Sequence, residues 1–189
     1  MVLYNVESGE TEKTIFTLPE KYEEIVHSDF SDGVLAVGLK NKTSTKKNSI
    51  IVLRESEDFV WNKHSSEYFV SVVFLKIVGD RMLAGGSEGR LCCFKLSDFE
   101  RDEEDIWPWN AQMDYSKSAI ARPRCGLIKG DIAYVGGDLG LLEWDLTVTK
   151  TAKKWKKLSE ACQVESIADY DGKIWAAGED GALRAFAVE

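Results

Sequence analysis

Four short segments repeat one wording along the chain, and a fixed period of that kind constrains the fold more than any local reading of helix or strand. They are Leu-Ala-Val-Gly ending at Gly38, Leu-Ala-Gly-Gly ending at Gly86, Tyr-Val-Gly-Gly ending at Gly137 and Trp-Ala-Ala-Gly ending at Gly178. The final glycines lie 48, 51 and 41 residues apart. Asp32, Asp80 and Asp131 each stand six residues before that glycine, and in the fourth copy Gly172 takes the place after Asp171. Each copy therefore reads as a turn followed by a short strand.

A second turn follows in three copies, as Gly86-Ser-Glu-Gly89, Gly137-Asp-Leu-Gly140 and Gly178-Glu-Asp-Gly181. Its glycines supply the positive φ that a tight hairpin demands. Apolar runs come next at residues 91–96, 141–146 and 183–188, while in the first copy a polar insertion at 40–48 opens the hairpin before residues 50–53. Further apolar stretches precede the turns at 22–26, 69–78, 125–128 and 164–170, so each period holds at least three strands and has room for four. Short strands punctuated by glycine turns at a period in the forties predict radially repeated antiparallel sheets. One such sheet cannot bury both its faces alone, and stacking against the next buries them, which is why the period must recur. A sandwich or jelly roll has no reason to repeat its wording four times. The expectation is an all-β, β-propeller-like array of four-stranded antiparallel blades, with residues 1–189 as one domain.

These residues resemble the WD40-repeat propellers. Trp144 and Asp145 form one literal Trp-Asp pair after Gly140, Phe94 and Phe186 hold the matching place after Gly89 and Gly181, and Leu53 does so after the insertion. Tyr4 and Asn5, followed by Ser8 and Gly9, are similar to the end of such a repeat. The resemblance implies a non-catalytic scaffold that holds protein partners within a multi-subunit complex. Gly38, Gly86, Gly137, Gly178, Trp144 and Asp145 are its structural repeat residues. Counted this way the chain offers seventeen strands: two near the start, three blades of four, and three at the end. Seven blades would need about 280 to 315 residues. The array is therefore incomplete or a small ring. Either the N-terminal strands within residues 2–18 complete the last blade, or an open arc is completed by a partner or by a second copy in a homodimer, because unpaired edges recruit strands.

Composition narrows the function classes. The formal net charge is −8, which argues against a surface built to coat nucleic acid, although a local basic patch is compatible with it. No stretch reaches the roughly 18 to 20 apolar residues of a spanning helix, and the polar first residues lack the layout of a secretory leader, so no membrane contact and a cytoplasmic or nuclear location are expected. Cys92, Cys93, Cys125 and Cys162 show no zinc-ligand spacing and read as reduced structural thiols. His27 and His64 each sit next to a serine, and neighbours in sequence do not form a nucleophile–base pair, which meets through folding. Glu88, Asp138, Glu179 and Asp180 recur at hairpin tips; they read as turn formers rather than as a metal site. No phosphate-cradling loop occurs. Tyr4 to Gly9 and Gly181 to Phe186 also look similar to repeat ends of quinoprotein-like propeller enzymes, but no cofactor cage accompanies them. No catalytic residue, cofactor or metal is expected.

Two segments stand out from the repeat. Residues 97–105 carry six acids, among them Glu104 and Asp105, and lead into Trp107, Pro108 and Trp109. Aromatic anchors inside a charged rim are the residue types that dominate protein-binding hot spots, so Trp107, Trp109, Asp105 and Glu104 form the candidate docking site. The bland alternative is a solvated loop entering an outer strand. Lys150, Lys153, Lys154, Lys156 and Lys157 surround Trp155 with no acid between them. Lysines on an outer strand discourage edge pairing. With Arg122 and Arg124 they are also where RNA or DNA would bind, the competing function being a nucleic-acid-binding subunit.

Overall fold

The structure is a computed structural model that describes residues 2–4, 8–14, 17–18, 20–43, 49–54, 60–64, 71–100, 110–112, 121–147, 155–159 and 162–188. They form five antiparallel sheets, each a meander in chain order. A two-stranded sheet pairs β1 (Val2–Tyr4) with β2 (Thr11–Thr14). The first blade comprises β3 (Tyr22–Ser31), β4 (Val34–Asn41), β5 (Ser49–Arg54) and β6 (Val60–His64). The second comprises β7 (Val72–Val78), β8 (Arg81–Gly86), β9 (Leu91–Lys95) and β10 (Asn110–Gln112), with a 3₁₀ turn at Leu96–Glu100. The third comprises β11 (Pro123–Lys129), β12 (Ile132–Gly137), β13 (Gly140–Asp145) and β14 (Trp155–Ser159). The fourth has three strands, β15 (Val164–Tyr170), β16 (Lys173–Gly178) and β17 (Leu183–Ala187). The array of blades is the expected one. The N-terminal strands pair with each other in a sheet of their own.

Two-residue hairpins join the first two strands of every blade. Asp32 and Gly33 both take positive φ (50° and 72°), as do Asp171 and Gly172 (51° and 69°), the type I′ form. In the second and third blades the order is reversed to Gly79-Asp80 and Gly130-Asp131, and the glycine alone takes positive φ, the pattern of a type II′ turn. This swap corrects the sequence alignment of the first repeat. Gly38 pairs with Ile50 as Gly85 pairs with Leu91 and Gly136 with Leu141, so it corresponds to Gly85 and Gly136 and not to Gly86, Gly137 and Gly178. Aligning on the aspartate displaced that copy by one residue.

The need for glycine there is close approach of the next blade. A Cβ on Gly136 would lie 2.4 Å from Cγ1 of Val164 on β15, and one on Gly38 would lie 3.1 Å from Cγ1 of Val72 on β7. Just before this contact each first strand carries an irregularity in its ladder, at Ile25/His27, Val72/Phe74, Pro123/Cys125 and Val164/Ser166. A bulge at a repeated position turns the strand by the same amount each time.

Successive blades bury their facing sheets. Ala36, Ile50 and Val52 pack with Leu75, Met82, Cys92 and Phe94 between the first and second blades. Leu83, Leu91 and Cys93 meet Val135, Leu142 and Trp144 between the second and third. Leu127, Tyr134 and Leu141 meet Val164, Ile174 and Ala176 between the third and fourth. Each large side chain so buried contributes about 1.5–3 kcal/mol, which a lone blade would forgo. A further cluster, Tyr22, Leu35, Val37, Leu39, Ile51 and Leu53 with Leu18, lies on the opposite face of the first blade.

Candidate functional site

The candidate docking residues Glu104, Asp105, Trp107 and Trp109 lie outside the described residues. Their flanks are described, and both are fixed. On the N-terminal side Phe99 is fully buried, edge-on to Phe94 with ring centroids 5.7 Å apart, and the Arg54 guanidinium donates from Nη2 to the Leu96 carbonyl at 2.9 Å. On the C-terminal side β10 pairs with β9, Asn110 opposite Cys93. Leu96–Glu100 and β10 thus both lie at the outer edge of the second blade, the former against the first blade.

Of the basic residues, Lys150, Lys153 and Lys154 also lie outside the described residues. Lys156 and Lys157 are on β14, opposite Glu143 and Leu142. That is an outermost strand, the edge position at which lysines discourage pairing. Arg122 and Arg124 stand at the other edge of the same blade, three strand spacings or about 14 Å away. Among the described residues, Lys156 and Lys157 thus lie across the blade from Arg122 and Arg124. Arg124 donates from Nε to Asp138 Oδ1 at 2.7 Å, and its Nη1 lies 3.3 Å from Glu165 Oε1 on the fourth blade. The bond to Asp138 raises its pKa further, and the charge serves to tie two blades together. Sequence reasoning missed this because Asp138 and Glu165 are distant in the chain.

The hairpin-tip acids have similar employment. Glu88 lies 3.9 Å from Arg90 Nε, and Asp180 accepts from Arg184 and from the Ala182 N–H. The Arg184 guanidinium holds the Asp180 carboxyl well below the usual carboxylate range. No group of three potential metal ligands occurs among the described residues. His27 Nδ1 accepts the Leu75 N–H at 3.2 Å, and Asp29 Oδ2 accepts the Ile77 N–H at 2.6 Å, so side chains of β3 cap the free edge of β7. Burial lowers the His27 pKa; nearby Asp29 opposes the shift and Lys76 adds to it. Burial also pushes the Cys93 and Cys125 thiols up to about 12, and Cys92 higher still, so none is a nucleophile at neutral pH.

Asp145 Oδ1 accepts both the N–H and the hydroxyl of Thr147, at 2.8 and 2.6 Å, closing the end of β13. Trp144 is fully buried and its Nε1 has no hydrogen-bond partner among the described residues. Gly86 and Gly178 build identical turns, their N–H groups donating to the carbonyls of Arg90 and Ala182. Gly137 instead pairs with Gly140 in a turn one residue shorter.

The uncovered surface is at the two ends of the arc. Tyr170, Leu183 and half-buried Trp175 lie on the far face of the fourth blade, Tyr170 72% and Leu183 65% exposed. The rung of Leu183 is occupied in the other blades by Ile50, Leu91 and Leu141, all at most 1% exposed. Among the described residues no strand lies beyond β17, whereas β5, β9 and β13 each have an outer neighbour. At the other end Phe30 and Ile25 are exposed on β3, while Ile77 and Ile128 at the rung of Phe30 are buried.

No protein-family model matches the chain, and no curated protein matches it. Solved structures do. The computationally designed Ika4 protein aligns with a TM-score of 0.67 at 12% identity, over 94% of this chain and 99% of that one. KlAtg21, in complex with the coiled-coil of AgAtg16, aligns with a TM-score of 0.69 at 18% identity, over 100% of this chain and 60% of that one. The WD40 domain from Toxoplasma gondii coronin aligns with a TM-score of 0.59 at 11% identity, over 82% of this chain and 40% of that one. The chain spans about half the length of several of the structures it matches. At such identities the likeness is one of fold alone: a WD40-like β-propeller array.

Proposed function

We propose that the protein is a non-catalytic WD40-like scaffold, cytoplasmic or nuclear, that holds a protein partner within a larger assembly. The observation that carries this reading is the anchoring of residues 101–109 at both ends, by buried Phe99 and by the pairing of β10 with β9. In the segment between those two fixed points, Trp107 and Trp109, with Glu104 and Asp105 as charged neighbours, supply the residue types that dominate binding hot spots. Two structural neighbours belong to assemblies, a mitotic checkpoint complex and a complex of KlAtg21 with the coiled-coil of AgAtg16, which supports this reading. A purified tagged chain should retain a defined protein from its source lysate, and Trp107→Ala with Trp109→Ala should lose it while melting at the wild-type temperature. Retention unchanged by a folded double variant removes these residues from the site.

A further inference from the structure

We propose that the two ends of the arc are matched halves of one blade junction, and that a second copy of this chain joins them head to tail. Four of the five exposed large apolar side chains among the described residues sit on these ends: Ile25 and Phe30 on the back of the first blade, Tyr170 and Leu183 on the front of the fourth. A front face in this fold packs against a back face, never against another front, as all three internal junctions show. The internal junctions also say which residues meet. Lys129, at the rung of Tyr170, bonds Asp169, at the rung of Phe30, at 3.0 Å. The new junction therefore sets Tyr170 against Phe30, an aromatic pair in place of an ion pair.

Charge agrees with this register. Arg81, at the rung of Lys173, bonds Asp131 at 2.7 Å and the Gly130 carbonyl at 3.1 Å, both in the first hairpin turn of the following blade. The corresponding turn of the first blade is Asp32-Gly33, with Asp32 at the place of Gly130, whose carbonyl Arg81 meets, so Lys173 of one copy faces the acidic turn of the other. A single copy does not bring its own ends together, since Phe30, Tyr170 and Leu183 all remain exposed. In a pair, each copy offers one front and one back, and two arcs close on each other. The two-stranded sheet follows the same logic: Leu18, just past β2, packs on the back of the first blade, so the N-terminal strands of one copy lie beside the β17 edge of the other, which has no outer neighbour among the described residues, and complete its last blade.

The test is light scattering of the full chain over a dilution series. The expected mass is twice the 21.2 kDa of one chain. Phe30→Asp and Leu183→Asp, both at exposed positions, should each fall to the single-chain mass, and an equal mixture of the two should rise above either alone, because one junction then pairs two unaltered faces. A wild type of single-chain mass at every concentration overturns the proposal. So does Phe30→Asp remaining paired while Leu183→Asp does not, the result of like faces meeting. Should Leu183→Asp lose its cooperative melt, Tyr170→Lys replaces it with the same expectations. Trp107→Ala with Trp109→Ala should leave the mass unchanged, so this inference and the docking reading stand or fall separately.

Discussion

Gly136→Ala isolates the force that sets the spacing between blades. A strand glycine whose backbone tolerates alanine ordinarily gains about 0.4–1 kcal/mol on that change, because the unfolded chain loses freedom. Here the new methyl would lie 2.4 Å from Cγ1 and 2.9 Å from Cβ of Val164, and 2.7 Å from Sγ of Cys125. Ordinary carbon contacts are about 3.5–4.0 Å, so the shortfall exceeds 1 Å. A Cβ cannot swing aside as a side-chain tip can, and β15 must retreat. That retreat loosens Val164, Ile174 and Ala176, all buried in the junction, and a gap of that size forfeits a quarter to half of each contact. Overpacking of this kind costs about 1–3 kcal/mol, which outweighs the backbone gain. The expected net loss is about 2 kcal/mol in urea unfolding, or about 4–8 °C in melting temperature for a chain of this size. Val164→Ala alone should cost a similar amount, and the double variant should cost at least about 1 kcal/mol less than the sum, because the new methyl occupies the space that Val164 vacates. A neutral or stabilising Gly136→Ala, or strict additivity in the double variant, would refute close approach as the reason for glycine here.

Three further outcomes follow from the same contacts. The lowered His27 pKa means that the folded state takes up fewer protons, so the contribution of His27 is present above its ordinary value of about 6.5 and is lost as pH falls below it. Urea midpoints at pH 7.5 and 5.5 should fall further for wild type than for His27→Gln, which keeps an acceptor near the Leu75 N–H; equal losses would contradict this. Trp144→Phe should change stability by no more than about 1 kcal/mol, because it removes a buried N–H that lacks a partner while the same rung already holds Phe94 and Phe186; a loss above about 3 kcal/mol in urea unfolding would show the indole to be required. Thiol labelling read by peptide mass spectrometry should leave Cys92 and Cys93 unmodified until the chain unfolds, whereas half-exposed Cys162 reacts first; native labelling of Cys92 at the Cys162 rate would contradict its burial.

The hairpin glycines made the ladder legible because turn chemistry is local. Phe94 and Phe186, each five residues after a glycine, do share one rung with Trp144, four after its glycine, and with Leu53, opposite Met82, Ile174, Ala133 and Leu35. Gly38 was misplaced by one residue for an equally local reason: the aspartate leads its turn in Asp32-Gly33 but follows in Gly79-Asp80 and Gly130-Asp131, so it is not a fixed point of the ladder whereas the paired rungs are. The candidate site was less legible. Arg124 reads as a free cation in sequence, and only the meeting of two blades supplies Glu165. The repeated ladder irregularity at Val26, Val73, Arg124 and Glu165 leaves no mark either, since an apolar, a basic and an acidic residue type all fill it. Leu183 marks the deeper limit. It carries the same wording as Leu91 and Leu141, and whether such a leucine is core or surface depends on a sheet that its own repeat does not contain. A repeat states how it pairs with its neighbour and not whether the neighbour exists, so burial at the ends of an array is a property of the assembly, and the exposed faces of the first and fourth blades are where that property is to be measured.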